Sequence, residues 1–236
     1  MTPERIARLR QVLDKRQPDL TIITNFMHKQ RNTSAIVRNA DAVGIMRVHA
    51  VVGAQQYQEF RGTAMGSQRW VDVVPHQCLE DAVSEVRASS MQIVAAHPTE
   101  PATDFRALDY TRPTALLLGT ERAGLDAEAL AMADHYVSVP MVGMVGSYNV
   151  SVAAGIILAE AQRQRQDAGL YDQCRLDQAT WQRLFFEWGH PRVRDFCQQR
   201  GLAYPALDEE GEISNPPAWY AEVRDMLAQL PESDAP

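Results

Sequence analysis

The sequence predicts an α/β protein: a mostly parallel sheet with helices on both faces, and short helical extensions at either end. Three observations lead there. Short apolar runs alternate with stretches whose apolar residues recur every three or four positions, the alternation of strand and amphipathic helix. The runs at 91–96 and 114–118 are almost unbroken in their apolarity, as strands buried on both faces are. Boundary residues punctuate the pattern, with Thr2-Pro3 and Asn32-Thr33-Ser34 at helix starts and Gly44 at a helix stop.

Taken in order, the first helix opens at Thr2-Pro3 and carries Ile6, Leu9 and Leu13 as its apolar stripe; Gln17-Pro18-Asp19 ends it. Residues 20–23 read as a strand. Asn32-Thr33-Ser34 then caps a helix that turns Ile36, Val37, Ala40 and Val43 inward and stops at Gly44. Strands follow at 48–52 and 71–74, then a helix at 79–87 that buries Leu79, Ala82, Val83 and Val86. The strands at 91–96 and 114–118, a helix at 125–132, a strand at 136–139 and a long helix at 150–164 complete the alternation. After Gln166 the texture changes to polar sequence with lone aromatics (Trp181, Phe185, Phe186, Trp188, Trp219), which marks two or three short helices around a Pro/Gly-punctuated stretch at 201–217. The expected organisation is a basic N-terminal helix at 1–19, a sheet core at 20–167, and a helical extension at 168–236 that packs on the sheet.

Composition narrows the function classes. With 45% hydrophobic and 22% charged residues in 236, wholesale disorder is excluded. No apolar run approaches the roughly 18 residues that cross a bilayer. Charges spread through the first residues argue against a signal peptide, so a cytoplasmic protein is expected. Three scattered cysteines, Cys78, Cys174 and Cys197, form no Cys-x-x-Cys pair, and the six histidines lack metal-ligand spacing, so no metal is expected.

The net charge of −7, taken whole, opposes a nucleic-acid partner, but the excess acid is local. Residues 207–236 hold eight acids and one base, which leaves residues 1–206 neutral overall. Between His28 and Arg69 stand Lys29, Arg31, Arg38, Arg47, Arg61 and Arg69 against only Asp41 and Glu59, and the first helix adds Arg5, Arg8, Arg10, Lys15 and Arg16. Such a local basic surface is what phosphate backbones require, and a solvated face would look the same.

Common nucleotide fingerprints fail. No Gly-x-Gly-x-x-Gly follows a strand, and Gly119 to Gly124 is followed by Leu125-Asp126 where a P-loop needs Lys-Ser/Thr. No Gly-x-Ser-x-Gly elbow supports a serine hydrolase. Three segments remain, each at a strand end or a helix start. In Asn32-Thr33-Ser34-Ala35-Ile36-Val37-Arg38, the six-residue spacing is expected to bring Asn32 and Arg38 roughly onto one helix face. In Leu116-Leu117-Leu118-Gly119-Thr120-Glu121-Arg122-Ala123-Gly124-Leu125, a buried strand ends by placing a carboxylate in a glycine-flanked turn. In Val139-Pro140-Met141-Val142-Gly143-Met144-Val145-Gly146-Ser147-Tyr148-Asn149-Val150-Ser151, a strand and a glycine-bearing loop lead to Ser147 and Asn149 at the mouth of a helix. Each has a plain structural reading: Asn32 a helix cap, Glu121 a solvated turn residue, Ser147 and Asn149 another cap.

Together, in this order, the three segments resemble the motifs of the SPOUT-class RNA 2′-O-ribose methyltransferases, most closely the TrmH tRNA (guanosine-18) methyltransferases. The likeness extends through Arg16-Gln17-Pro18-Asp19-Leu20, Asp41-Ala42-Val43-Gly44, Asp104-Phe105-Arg106 and Asp109-Tyr110-Thr111-Arg112-Pro113 into Glu160-Ala161-Gln162-Arg163-Gln164-Arg165, and so covers nearly the whole chain. The resemblance implies a C-terminal trefoil knot, a homodimer, and S-adenosylmethionine as methyl donor, contacted from Ala96, Leu118, Gly119, Val139, Met141 and Tyr148. It implies Arg38 beside the ribose 2′-hydroxyl, Asn32 holding Arg38 or its turn, and Glu121, Ser147 and Asn149 fixing the knot loops and the ribose. Arg31, Gly146 and Tyr148 depart from frequent family residues. The implied activity is methylation of guanosine 18 in the tRNA D-loop; the same chemistry on ribosomal RNA or a tRNA wobble ribose, or a knotted dimer that binds RNA without methylating it, are the alternatives.

Overall fold

The computed structural model describes residues 1–27, 29–53, 66–98, 102–120 and 123–228. The chain divides into two units, Asp14–Leu176 and a second assembled from Met1–Leu13 with Asp177–Pro236. Among the described residues the larger unit holds seven strands: β1 (Leu20–Asn25), β2 (Arg47–Val51), β3 (Asp72–His76), β4 (Gln92–Ala96), β5 (Thr103–Asp104), β6 (Thr114–Leu118) and β7 (His135–Ser138). They pair in the order β3-β2-β1-β6-β4-β7-β5, and every pair is parallel. The expected parallel α/β sheet is therefore observed, with the two-residue strand β5 added at one edge.

The near-continuous apolarity of β6 has its reason in alternation. Leu116 and Leu118 pack with Ile36, Val37 and Ala40 of helix α2 (Gln30–Ala42) and with Ala154, Ile157 and Leu158 of a later helix (Val150–Asp167). Ala115 and Leu117 point the other way, into Leu79, Ala82, Val83 and Val86 of helix α3 (Leu79–Ala88) and Ala129 of helix α4 (Ala127–Ala131). Both faces are covered, so no position of the strand can be polar without a partner. The Val150–Asp167 helix is α5; helix α1 (Pro3–Asp14) precedes the sheet.

One helix start differs from expectation. Helix α2 begins at Gln30 with Lys29 as its N-cap, and Asn32 lies inside the first turn, its backbone N–H already bonded to the Lys29 carbonyl at 2.9 Å. Asn32 is thus not a cap, and its side chain is turned to other work. The stop at Gly44 is as expected. Its φ of +83° needs no side chain, and a Cβ there would lie 2.7 Å from the Lys15 carbonyl oxygen.

Arg165, near the end of α5, is fully buried. Its guanidinium donates to the Asp19 carboxylate at 2.7 Å, to Gln17 Oε1 at 3.0 Å, and to the carbonyls of Tyr110, Arg112 and Asp19 at 2.9, 3.1 and 3.2 Å. Arg175 adds a second guanidinium to Asp19 at 2.6 Å. Burial works to raise the Asp19 carboxyl, but the hydrogen bonds and charge of Arg165 and Arg175 outweigh it and hold the carboxyl below its ordinary value. On the opposite side of the sheet from α2 and α5, burial pushes the His49 imidazole down to about 4, against the opposing pull of Glu85.

The smaller unit consists of most of α1 with α6 (Gln178–Gly189), α7 (Pro191–Arg200) and α8 (Pro216–Ala228). Arg5 donates to the Trp188 carbonyl at 3.2 Å and Arg10 to the Glu209 carbonyl at 2.7 Å, while the N-terminal ammonium pairs with Glu212. Two of the arginines expected to meet RNA thus also tie the first helix to the C-terminal segment. Phe186 stacks on Tyr204 with ring centroids 4.5 Å apart, and Tyr204 donates to Glu187.

Replacing Arg165 by Met should cost about 3–5 kcal/mol of unfolding free energy, because Asp19 loses one cation and three carbonyls lose a donor. Urea denaturation measures it. Asp19 has a lowered folded value, so its pairing is fully present above the ordinary carboxylate pKa and lost as pH falls through the lowered one. The gap between wild type and variant should therefore be full at pH 7 and shrink below about pH 4.

Candidate active site

In a parallel sheet the carboxyl ends of the strands carry the ligand crevice, since there the loops diverge and the backbone is not yet committed to helices. A cleft of about 330 Å³ lies at the carboxyl ends of β4, β6 and β7. Ala96, His97 and Pro98 line it after β4; Leu118, Gly119, Thr120, Ala123 and Gly124 after β6; Ser138 and Val139 after β7. Gly146, Ser147 and Tyr148 close it from the loop before α5, with Val150, Ala153 and Ile157 of α5 behind them.

Local geometry forces the small residues. The chain leaving β6 turns back on itself: Thr120 and Gly124 exchange backbone hydrogen bonds at 3.0 and 3.1 Å, and the Thr120 hydroxyl accepts from the Ala123 N–H at 3.1 Å. That hairpin brings Gly124 against Gly119, where a Cβ would lie 2.2 Å from the Gly124 carbonyl carbon and 2.5 Å from the Leu125 nitrogen. Only glycine fits at 119.

Asn149 joins two elements. It is the N-cap of α5, its Oδ1 accepting from the Ser151 N–H at 2.9 Å and the Ser151 hydroxyl at 2.7 Å. Its amide nitrogen meanwhile donates to Asn32 Oδ1 at 3.3 Å. The cap reading and the site reading of Asn149 are both true. Beside this contact, Asn39 of α2 donates to the Ser151 carbonyl at 2.9 Å, which fixes α2 against the start of α5.

Arg38 lies on α2 and is exposed, whereas Asn32 is buried. Six residues at 100° each leave them about 120° apart around the axis, so the expected common face does not form. Of the other residues singled out in the sequence, Ala96, Leu118, Gly119, Val139, Ser147 and Tyr148 line the cleft, and Asn32 and Asn149 meet at the joint between α2 and α5. Met141 is half-buried and lies outside the lining. Glu121 falls outside the described residues. Sequence reasoning passed over His97, Pro98 and Ala153, and named Thr120 and Gly124 only as part of the glycine-flanked turn. The signal was present for His97 and Pro98: they follow a buried strand directly, at the same level of the sheet as Gly119.

A model of the SpoU rRNA methylase family matches residues 19–159, and one for the C-terminal part of SpoU rRNA methylases matches residues 163–216. The tRNA (guanosine(18)-2′-O)-methyltransferase of Escherichia coli (strain K12) is 46% identical over 226 residues, which are 95% of this chain and 99% of that protein. The protein of the same name from Thermus thermophilus is 46% identical over 187 residues, 79% of this chain and 96% of its own. The crystal structure of the TrmH/SpoU tRNA modifying enzyme of A. aeolicus superposes with a TM-score of 0.75 at 37% identity, covering 80% of this chain and 97% of that one. An AdoMet-bound rRNA methyltransferase from Sinorhizobium meliloti superposes with a TM-score of 0.57 at 28% identity, over 65% of this chain and 59% of its own. The chain belongs to the SpoU rRNA methylase family.

Proposed function

We propose that the chain is an S-adenosylmethionine-dependent tRNA 2′-O-ribose methyltransferase that modifies guanosine 18 in the D-loop. The observation that carries this reading is the full-length likeness, at 46% identity, to the E. coli protein named for that reaction. With 95% of the chain matched, most of the smaller helical unit falls within that likeness too.

The cleft fits the methyl donor. Leu118, Val137, Val139 and Ile157 give apolar walls for a purine, Thr120, Ser138 and Ser147 give hydroxyls at its rim, and Gly119 lets backbone approach closely. Ala96, Leu118, Gly119, Val139 and Tyr148 would hold it, with Met141 behind the loop. When bound, S-adenosylmethionine supplies an electrophilic methyl group. The residues then have to deal with the other reactant, a ribose hydroxyl that is a weak nucleophile and must be placed and deprotonated. A guanidinium stays protonated in proteins, so Arg38 acts by charge and geometry: its planar fork grips the adjacent phosphate and stabilises the oxygen as negative charge develops. Asn32 positions the start of α5 through Asn149, and Ser147 and Glu121 order the loops around the ribose.

The trefoil knot and the homodimer belong to the same proposal. Gly119, Thr120, Ala123 and Gly124 border one cavity with Gly146, Ser147, Tyr148 and Val150, which suits a pair of knotted loops. Val142 and Met144 are fully exposed, Val145 largely and Val152 about half so, apolar side chains that suit a second copy of the chain. The three free cysteines suit a cytoplasmic setting.

Labelled S-adenosylmethionine and an unmodified tRNA transcript should yield 2′-O-methylguanosine in the D-loop fragment after nuclease digestion and mass spectrometry. Label on another ribose would replace the substrate, and no transfer to any RNA would remove the activity. Arg38→Lys keeps the charge and loses the fork, so kcat should fall by about 100-fold or more while donor affinity holds; near-normal turnover would sink the clamp. Gly119→Ala should push the hairpin off β6 and weaken donor binding by about tenfold or more, read by calorimetry, with a stability loss of about 1–3 kcal/mol. Unchanged donor binding there would show that the cleft is not the donor site.

A further inference from the structure

Away from the cleft, β2, β3 and α3 bring together His49, His76 and Glu85. In the sequence these residues stand 27 and 9 positions apart, a spacing that reads as no metal motif. The parallel register assembles them: His49 pairs with Val74 and Val51 with His76, so both histidines point to the same face of the sheet. That is the face α3 covers, through Leu79, Ala82, Val83 and Val86, and Glu85 extends from the same helix. His49 Nδ1 lies 3.0 Å from His76 Nε2, and Glu85 Oε2 lies 3.9 and 3.8 Å from them. Among the described residues, this group alone offers three such donor atoms within 4.8 Å of one another.

We propose that His49, His76 and Glu85 form a binding site for a divalent transition metal of the zinc type, separate from the methyl-transfer cleft. In a tetrahedral site with bonds of about 2.0–2.1 Å, ligand atoms stand about 3.3 Å apart. The observed separations straddle that value. The His–His contact lengthens by a few tenths of an ångström and Glu85, half in solvent, moves inward by about half an ångström. Each moves less than a rotamer change would require. Two imidazoles and a carboxylate are a donor set that zinc accepts, and the fourth position opens outward past Glu85 for a water. The outer contacts are already made. Arg47 Nη1 holds Glu85 Oε1 at 3.1 Å, which leaves Oε2 for the ion, and Arg47 Nε reaches Asp72 at 3.4 Å.

The site's place fixes what it does. β3 is the edge of the sheet, and β1 separates β2 from the β6 end of the cleft. Two strand spacings, roughly 10 Å, put the ion out of reach of the reacting atoms. It acts as a clasp, joining the edge pair β2–β3 to the helix that covers it, and methyl transfer does not depend on it.

The test uses the full chain without a histidine tag, stripped of metal. Zinc titration by calorimetry should give one saturable site per chain and a rise in Tm, and Co²⁺ in its place should give the intense visible absorption of a tetrahedral ion. Glu85→Gln, on the solvent side, should keep the fold and methyl transfer while weakening zinc by at least about tenfold. His76→Ala should abolish the site. No saturable uptake by the wild-type chain, an octahedral Co²⁺ spectrum, or equal zinc affinity in wild type and Glu85→Gln would leave His49 and His76 a hydrogen-bonded pair and overturn the proposal.

Discussion

Arg165 closes the one junction on which the centre of the sheet depends. β6 is the middle strand and β1 its neighbour, and both enter the sheet at the same place: the Thr114 N–H bonds the Asp19 carbonyl at 2.8 Å, just before the register Leu20↔Thr114 begins. A strand that starts there leaves carbonyls at 19 and 112 pointing into the protein, away from water. Arg165 reaches both from α5, and its charge is answered by the Asp19 carboxylate. A buried ion pair alone is weak evidence for stability, because desolvation offsets the attraction. Here the guanidinium also donates to three backbone carbonyls, which nothing apolar could do. The two strands are therefore in register from their first residue, and four and five positions later β6 delivers Leu118 and Gly119 to the cleft at a fixed height.

The same helix that carries Arg165 at its last turns begins at Asn149, against the cleft. α5 is thus pinned at both ends, by a charge network behind the sheet and by a cap in front of it. Between the ends, Ala154, Ile157, Leu158 and Ala161 fix its rotation against the sheet. With both the axial position and the rotation of α5 set, the loop before it has little freedom in where it returns, which is what a binding wall made from a loop requires.

Much of this was legible in the residues alone. Unbroken apolar runs identified β4 and β6, because two-sided burial leaves a mark at every position. Cap chemistry located the start of α5 and the stop of α2, because αL backbone and orphan N–H groups select particular residues. The start of α2 misled: Asn32-Thr33-Ser34 carries cap-forming side chains, yet Lys29 holds the cap position and Asn32 turns inward to Asn149. A cap residue and a buried hydrogen-bonding residue use the same side-chain chemistry, and sequence alone does not tell which partner is nearer. Two-residue β5 is too short to have a period. The His49–His76 pair was hidden for another reason, since it depends on parallel register between strands joined by a long connection, and register is a tertiary quantity. Arg165, expected with the other C-terminal arginines to contact the tRNA backbone, is instead fully buried, because burial of a charge is decided by partners far along the chain.

Helix phase divides the work of the first motif. About 120° of rotation separates Asn32 from Arg38, so the two cannot present side chains to one atom from one face of α2. On the proposed reading each then has its own task. Arg38, exposed, is the group that meets the phosphate and the developing charge on the ribose oxygen. Asn32, buried, never meets the substrate; its carbonyl oxygen holds the Asn149 amide while the other end of Asn149 caps α5. On that reading Asn32 is a positioning residue, coupled to the cleft through its hydrogen bond with Asn149 and the start of α5. On the proposed reading, the roughly two-turn spacing that makes the motif recognisable in sequence serves a helix with two working faces, one turned to the protein and one to the RNA.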